Sequence, residues 1–125
     1  PENHSLTELI ACVARLSVPK GQIKRIELEC KPASLLSWLQ QQTLSGRYYW
    51  AERNREFEVS GLGECDIIAP CVQGSISSAM DAITARLPEG GSQIRYFGGC
   101  RFHRCPPKDG IWRDFSAYRF VLPLV

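Results

Sequence analysis

Ser75 is followed by Ile76, Ala79, Met80, Ile83 and Leu87, one apolar stripe at helical spacing that Pro88 and the Gly90-Gly91 pair cut off. The runs on either side have a different period. "EFEVSGLGECDII" before the stripe, and "SQIRYFGGCRF" and "DFSAYRFVLPLV" after it, place apolar residues at strand spacing. A chain that switches period in this way must lay a helix stripe on a sheet face, which confines it to layered architectures.

The rest of the chain extends that pattern. Ser5-Leu6-Thr7-Glu8 has capping-box spacing and leads into Leu6, Leu9, Ile10, Val13 and Leu16, so a helix is predicted up to Pro19 and Gly21. Ile26, Leu28 and Cys30 alternate with charged residues and predict a half-buried strand. Pro32 is placed as a first helical residue before Leu35, Leu36 and Leu39, with Ser45-Gly46 as the stop. "RYYWAER" and "EFEVSGLGECDII", linked at Asn54-Arg55, predict an antiparallel hairpin. The order helix, strand, helix, two strands, helix, two strands predicts an α+β fold with a mostly antiparallel sheet and about three helices, in a single unit over residues 1–125.

Composition narrows the function classes. The 125 residues suit one domain, and 44% hydrophobic with 22% charged residues suits a globular core. A net charge of +2 without a basic run gives no electrostatic footprint for nucleic acid or a membrane surface. There is no apolar stretch of bilayer length and no signal-peptide pattern, so the expected location is cytoplasmic. The six cysteines are then expected as reduced thiols, mostly buried. The chain starts at Pro1 and runs out in Leu122-Pro123-Leu124-Val125, an apolar strand end expected to continue into further protein.

Several groups look like chemistry. Cys100, His103 and Cys105 offer zinc-type ligands as C-x2-H-x-C, but a structural zinc site takes four ligands in paired clusters, and Cys65 and Cys71 lie on another predicted hairpin. Ordinary strand-end residues are the better reading. Cys100 and His103 are an odd number apart, which puts them on opposite strand faces unless Gly98-Gly99 forms a bulge, so a Cys–His nucleophile is not expected. Glu27 with Glu29 and Glu56 with Glu58 alternate with apolar residues and read as solvent faces instead of acid–base pairs. "RYYWAER" has the makings of a stacking platform, but Tyr48 with Trp50 and Tyr49 with Ala51 point to opposite faces, so one set is expected in the core. Gly61-x-Gly63 and Gly98-Gly99 lack the following helix start and further glycine of a phosphate loop.

One set of residues carries a family likeness. Leu36-Ser37-Trp38-Leu39-Gln40-Gln41-Gln42-Thr43, then Tyr48-Tyr49-Trp50-Ala51-Glu52-Arg53-Asn54 and a strand reaching Gly63, resemble the N-terminal region of isochorismate synthases. These are chorismate-utilising enzymes related to anthranilate and salicylate synthases. Ile94-Arg95-Tyr96-Phe97-Gly98-Gly99 with Phe102, and Phe115 with Phe120-Val121-Leu122-Pro123, look like the two family strands that follow. "LSWLQQQT" and the helix–strand pair before it are more similar to the menaquinone-specific type than to the siderophore type.

The resemblance implies a larger sheet-sandwich enzyme, about three times this length, that isomerises chorismate to isochorismate with Mg2+. It implies a lysine general base, a glutamate general acid and metal-holding glutamates, all beyond the "LP" strand. No catalytic, cofactor-binding or metal residue is therefore assigned in this chain, and its expected partner is the catalytic remainder of its own polypeptide, with self-association as a further expectation. The alternatives are a stand-alone binding or regulatory module, or the N-terminal part of a siderophore- or salicylate-pathway enzyme. The Leu-Leu-Glu-Ser-type effector motif of anthranilate synthases has only Ile26-Glu27-Leu28-Glu29 as its counterpart, so no effector site is transferred. Against the family pattern Gly98, Gly99 and Phe102 are matched positions, the glycines implying close approach or a bulge in a central strand and Phe102 core packing.

Overall fold

A computed structural model describes residues 2–27, 29, 34–70, 74–87, 93–102, 111 and 115–125. In chain order they form α1 (Glu2–Arg15), α2 (Leu35–Gln40), β1 (Arg47–Ala51), β2 (Glu58–Leu62), β3 (Asp66–Ile68), α3 (Ile76–Arg86), β4 (Phe97–Cys100) and β5 (Tyr118–Leu122). β1 and β2 make one antiparallel sheet, and a second antiparallel sheet has the order β3-β5-β4. The α+β class is as the periodicity predicts, with the strands divided between two small sheets.

The division falls at Gly63. The alternating run from Phe57 predicts one continuous strand, but Gly63 takes φ +72°, a left-handed conformation that turns the chain out of β2. Its amide donates to the Gly46 carbonyl at 2.8 Å, and two residues later the Cys65 amide donates to the Leu122 carbonyl at 2.8 Å, entering the other sheet. At the far end of β5 the traffic reverses. The Leu62 amide donates to the Val125 carbonyl at 2.7 Å, and the amides of Leu124 and Val125 donate to the Leu62 carbonyl at 3.0 and 3.1 Å. Pro123–Val125 therefore tie β5 to β2 and join the sheets.

α3 covers the second sheet. Ser75 caps it: its hydroxyl accepts from the Ser78 amide at 3.1 Å, and the Ser75 amide donates to the Ser78 hydroxyl at 3.2 Å, closing a capping box. Ala79 is fully buried in a core with Ile68 and Tyr118, flanked by Ala82 and Ile83, whereas Ile76 and Met80 of the expected stripe stay exposed. The two alanines let the helix approach closely, so the stripe that is covered is narrower than the stripe that is apolar. Val121 and Leu122, which point to opposite faces of β5, are both buried because β5 lies at the centre of its sheet and ends against β2.

Other expectations are corrected. Residues 22–27 and 29 form no strand, because no described segment offers them a ladder to pair with; Leu28 and Cys30 lie outside the described residues. Ser34, whose hydroxyl accepts from the Ser37 amide at 3.3 Å, caps α2, so the helix starts after Ser34 and not at Pro32, which is outside the described residues. The hairpin turn does form at the expected place. Asn54 Oδ1 accepts from the Glu56 amide at 3.3 Å while Arg55 adopts φ 59°, an Asx-assisted turn that Asn tolerates next to a left-handed residue.

Candidate functional site

The sheet faces meet at Gly61. Opposite Tyr48 in the β1–β2 register, it has no side chain; the Pro123 ring fills the space a Cβ would need, and Phe97 lies at van der Waals distance from it. Phe97 also lies 5.8 Å from Tyr48, ring centre to ring centre. This contact holds β4 beside the hairpin and leaves a groove of about 750 Å3 between them, within the size range of small-molecule sites.

Aromatic faces and two cations line the groove. Trp50 and Phe57 lie 6.0 Å apart, and the Arg95 guanidinium sits 4.8 Å over the Phe57 ring. Arg47, at the start of β1, donates one guanidinium nitrogen to the Gln42 carbonyl at 2.7 Å. Among the described residues neither arginine has an ion-pair partner, and no carboxylate lines the groove. The platform reading of "RYYWAER" therefore comes nearer to the structure than its core reading: Trp50 is half exposed, and Tyr48 and Tyr49 are only partly buried.

Two carboxylates brace the ends of the strands. Glu64 Oε1 accepts from the Tyr48 hydroxyl at 2.8 Å and from Arg119 at 2.7 Å, coupling the first sheet to the second. Asp66 Oδ2 accepts from the Tyr96 hydroxyl at 2.7 Å and pairs with Arg86 at 3.1 Å, tying β3 to α3 and to the approach to β4. Burial, and next the bond to Asp66, push the Tyr96 phenol well above its ordinary range. Tyr48 is raised less, by burial and then by Glu64. Both are structural donors that stay protonated at neutral pH, not proton-transfer groups.

The residues singled out from the sequence scatter. Cys100 is an exposed free thiol on β4, and His103 and Cys105 lie outside the described residues, as does Cys71. Cys12 and Cys65 are also free and exposed, which corrects the expected burial for the described thiols: Cys12 lies on α1 and Cys65 in the link from β2 to β3. Glu27, Glu29 and Glu56 are exposed and Glu58 partly so, in keeping with solvent faces. Gly98 needs its lack of a side chain, since a Cβ would collide with the Arg119 carbonyl and come within 2.7 Å of the Phe120 Cα, whereas Gly99 has open space. The register through both glycines is regular and β4 is an edge of its sheet, so neither a bulge nor a central strand explains them. Phe102 is fully exposed instead of in the core, because β4 ends at Cys100 and the chain bends away. The roles of Gly61 and Arg95 are what the sequence reading missed; the sequence marks Gly61 only within Gly61-x-Gly63 and Arg95 only within a matched segment.

Among the described residues no three His, Cys, Asp or Glu side chains converge, so these residues do not fit the Mg2+ that the resemblance implies, and no step is derived through that ion. No described helix is long and apolar enough to cross a membrane.

An α+β unit in which a paired hairpin and a three-stranded sheet are joined through the "LP" strand end carries an aromatic groove with two arginines in its lining. The family profile described as chorismate binding enzyme matches residues 9–125, and the chain belongs to that family. No curated protein and no solved structure matches it.

Proposed function

We propose that this chain is the N-terminal scaffold portion of an isochorismate synthase, serving menaquinone biosynthesis in the cytoplasm and inactive by itself. The carrying observation is the family match over residues 9–125, read together with the ordered segments "LSWLQQQT", "YYWAERN" and "RYFGG". In such an enzyme chorismate is isomerised by addition of water and loss of a hydroxyl group. The lysine base, the glutamate acid and the Mg2+-holding glutamates belong to the catalytic remainder, and this chain supplies the sheet on which that remainder packs.

The surface supports a covered role. Ile10, Val13, Phe102, Ile111 and Phe115 are each more than half exposed, side chains that a packed remainder would cover. Incubating the purified chain with chorismate and Mg2+ tests the reading: no isochorismate is expected, and steady formation of it overturns inactivity. The groove, lined by described residues of this chain, favours a second reading as a stand-alone binding or regulatory module. A reading frame that continues past Val125 into a lysine and glutamate-rich catalytic segment supports the enzyme portion, and a stop codon there supports the module. Chorismate turnover by the continued protein, stopping at isochorismate or going on to salicylate, separates the menaquinone and siderophore or salicylate assignments.

A further inference from the structure

We propose that the outer edge of β4 is a pairing surface for a second copy of this chain, the two β4 strands running antiparallel about a two-fold axis at Gly99. The ladder shows which groups are left over. In the β4–β5 register the Arg101 amide donates to the Ala117 carbonyl at 2.9 Å, and alternation then turns the backbone groups of Phe97 and Gly99 toward β5 and those of Gly98 and Cys100 away from it. Among the described residues no strand lies on that outer side, and Gly98, Gly99 and Cys100 are exposed. Exposed edges are ordinarily blunted by charge, proline, brevity or a bulge. β1 opens on Arg47 and runs into Glu52-Arg53, and β3 is only three residues long and begins at Asp66. β4 has no charged side chain, no proline and a regular register.

Self-complementarity sets the occupant. With the axis at Gly99, Gly98 of one copy stands opposite Cys100 of the other, so the unused donors and acceptors of both residues answer one another. The two Gly99 residues face each other across the axis at the closer, non-hydrogen-bonded spacing, where the lack of side chains lets the backbones approach. Arg101 falls opposite Phe97 of the second copy, so no like charges are directly opposed. Phe102, fully exposed just past β4, is carried toward Tyr96 of the second copy and so gains a neighbour. The pairing doubles the three-stranded sheet into one continuous sheet, and it does not rest on the chain's being part of an isochorismate synthase.

Sedimentation equilibrium of the intact chain, kept reduced so that no thiol links the copies, is expected to show reversible association of two chains as concentration rises. Cys100→Pro removes an outward amide without touching the bonds to β5, and it is expected to raise the dissociation constant at least about tenfold. Cys100→Ser keeps that amide and is expected to leave association unchanged. Gly99→Lys and Gly99→Glu enter open space in the single chain, and either one alone sets like charges across the axis. Each is expected to associate at least about tenfold more weakly, and an equal mixture of the two to recover association through opposite charges. The mixture decides the matter should Cys100→Pro disturb the fold. The proposal fails if the chain stays monomeric up to about 0.1 mM, if Cys100→Ser weakens association as much as Cys100→Pro, or if the mixture does no better than either variant alone. It also fails if Val13→Asp, at an exposed position of α1, abolishes an association that Cys100→Pro leaves intact.

Discussion

Pro123 occupies the space that a side chain on Gly61 would need: a Cβ built there falls 2.7 Å from the Pro123 Cβ and still closer to its Cγ. Gly61 belongs to the first sheet, and Pro123 continues the central strand of the second. Their contact is where the sheets become one body, and neither partner can give way easily, one being backbone in a ladder and the other a closed ring. Gly61→Ala is therefore expected to destabilise the chain by about 1–3 kcal/mol, the usual penalty for overpacking. Urea denaturation with an unchanged slope and a lowered midpoint would show it, and an unaltered midpoint would contradict the packing described.

The neighbouring glycines of β4 separate a steric demand from a sequence coincidence. Gly98→Ala pushes a methyl into the Arg119 carbonyl and is expected to cost stability and loosen the β4–β5 ladder, seen as faster exchange of the Arg101 amide that donates to the Ala117 carbonyl. Gly99→Ala meets nothing within 4 Å and its φ is not left-handed, so it is expected to be neutral or to stabilise by about 0.4–1 kcal/mol through the unfolded chain. Equal effects at the two positions would contradict the register.

Alkaline pH should weaken the fold. The Tyr96 phenol is raised in the folded state by burial and by its bond to Asp66, and Tyr48 and Tyr49 are raised to a lesser degree. The folded chain then holds protons that the unfolded chain has released. Their contribution is complete below the ordinary tyrosine range near pH 10 and is lost as pH rises beyond it. Thermal melts from pH 8 upward should show a Tm that is level and then falls above about pH 10, with a shallower fall in Tyr96→Phe. A parallel fall in the variant would remove Tyr96 as its source.

Ser75→Ala removes a side-chain acceptor at the start of α3 and half of its capping box. A loss of about 1 kcal/mol is expected by denaturant midpoint. Ser78→Ala, which leaves the Ser75 hydroxyl bonded to the backbone, is expected to cost less.

How much of this was legible beforehand depended on range. α3, its start at Ser75, the β1–β2 hairpin and its turn at Asn54-Arg55 rest on periodic spacing and on hydrogen bonds between residues near in sequence, at most fifteen apart, and they follow from the sequence. The run ending in Asp66–Ile68 looked continuous with β2 because alternation records only which residues are apolar, not the conformation of Gly63 between them. The strand expected around Ile26 had the right pattern and no described partner, and a strand exists only with a neighbour to bond. Phe102 was misplaced for a related reason: an aromatic residue in a strand pattern is buried only if the strand goes on, and β4 stops at Cys100.

The groove was the least legible part. Trp50 and Phe57 belong to one hairpin, and Arg95 comes from a segment that only the Gly61–Phe97–Pro123 contact brings alongside. By itself the sequence determined the α+β class, the capped helix α3, the antiparallel hairpin and, through motifs in fixed order, the chorismate-binding family. Tertiary structure alone decided that the strands form two sheets, that Gly61 is the joint between them, and that Arg47 and Arg95 line one groove with Trp50 and Phe57. Those outcomes depend on contacts between residues tens of positions apart, where local periodicity carries no information.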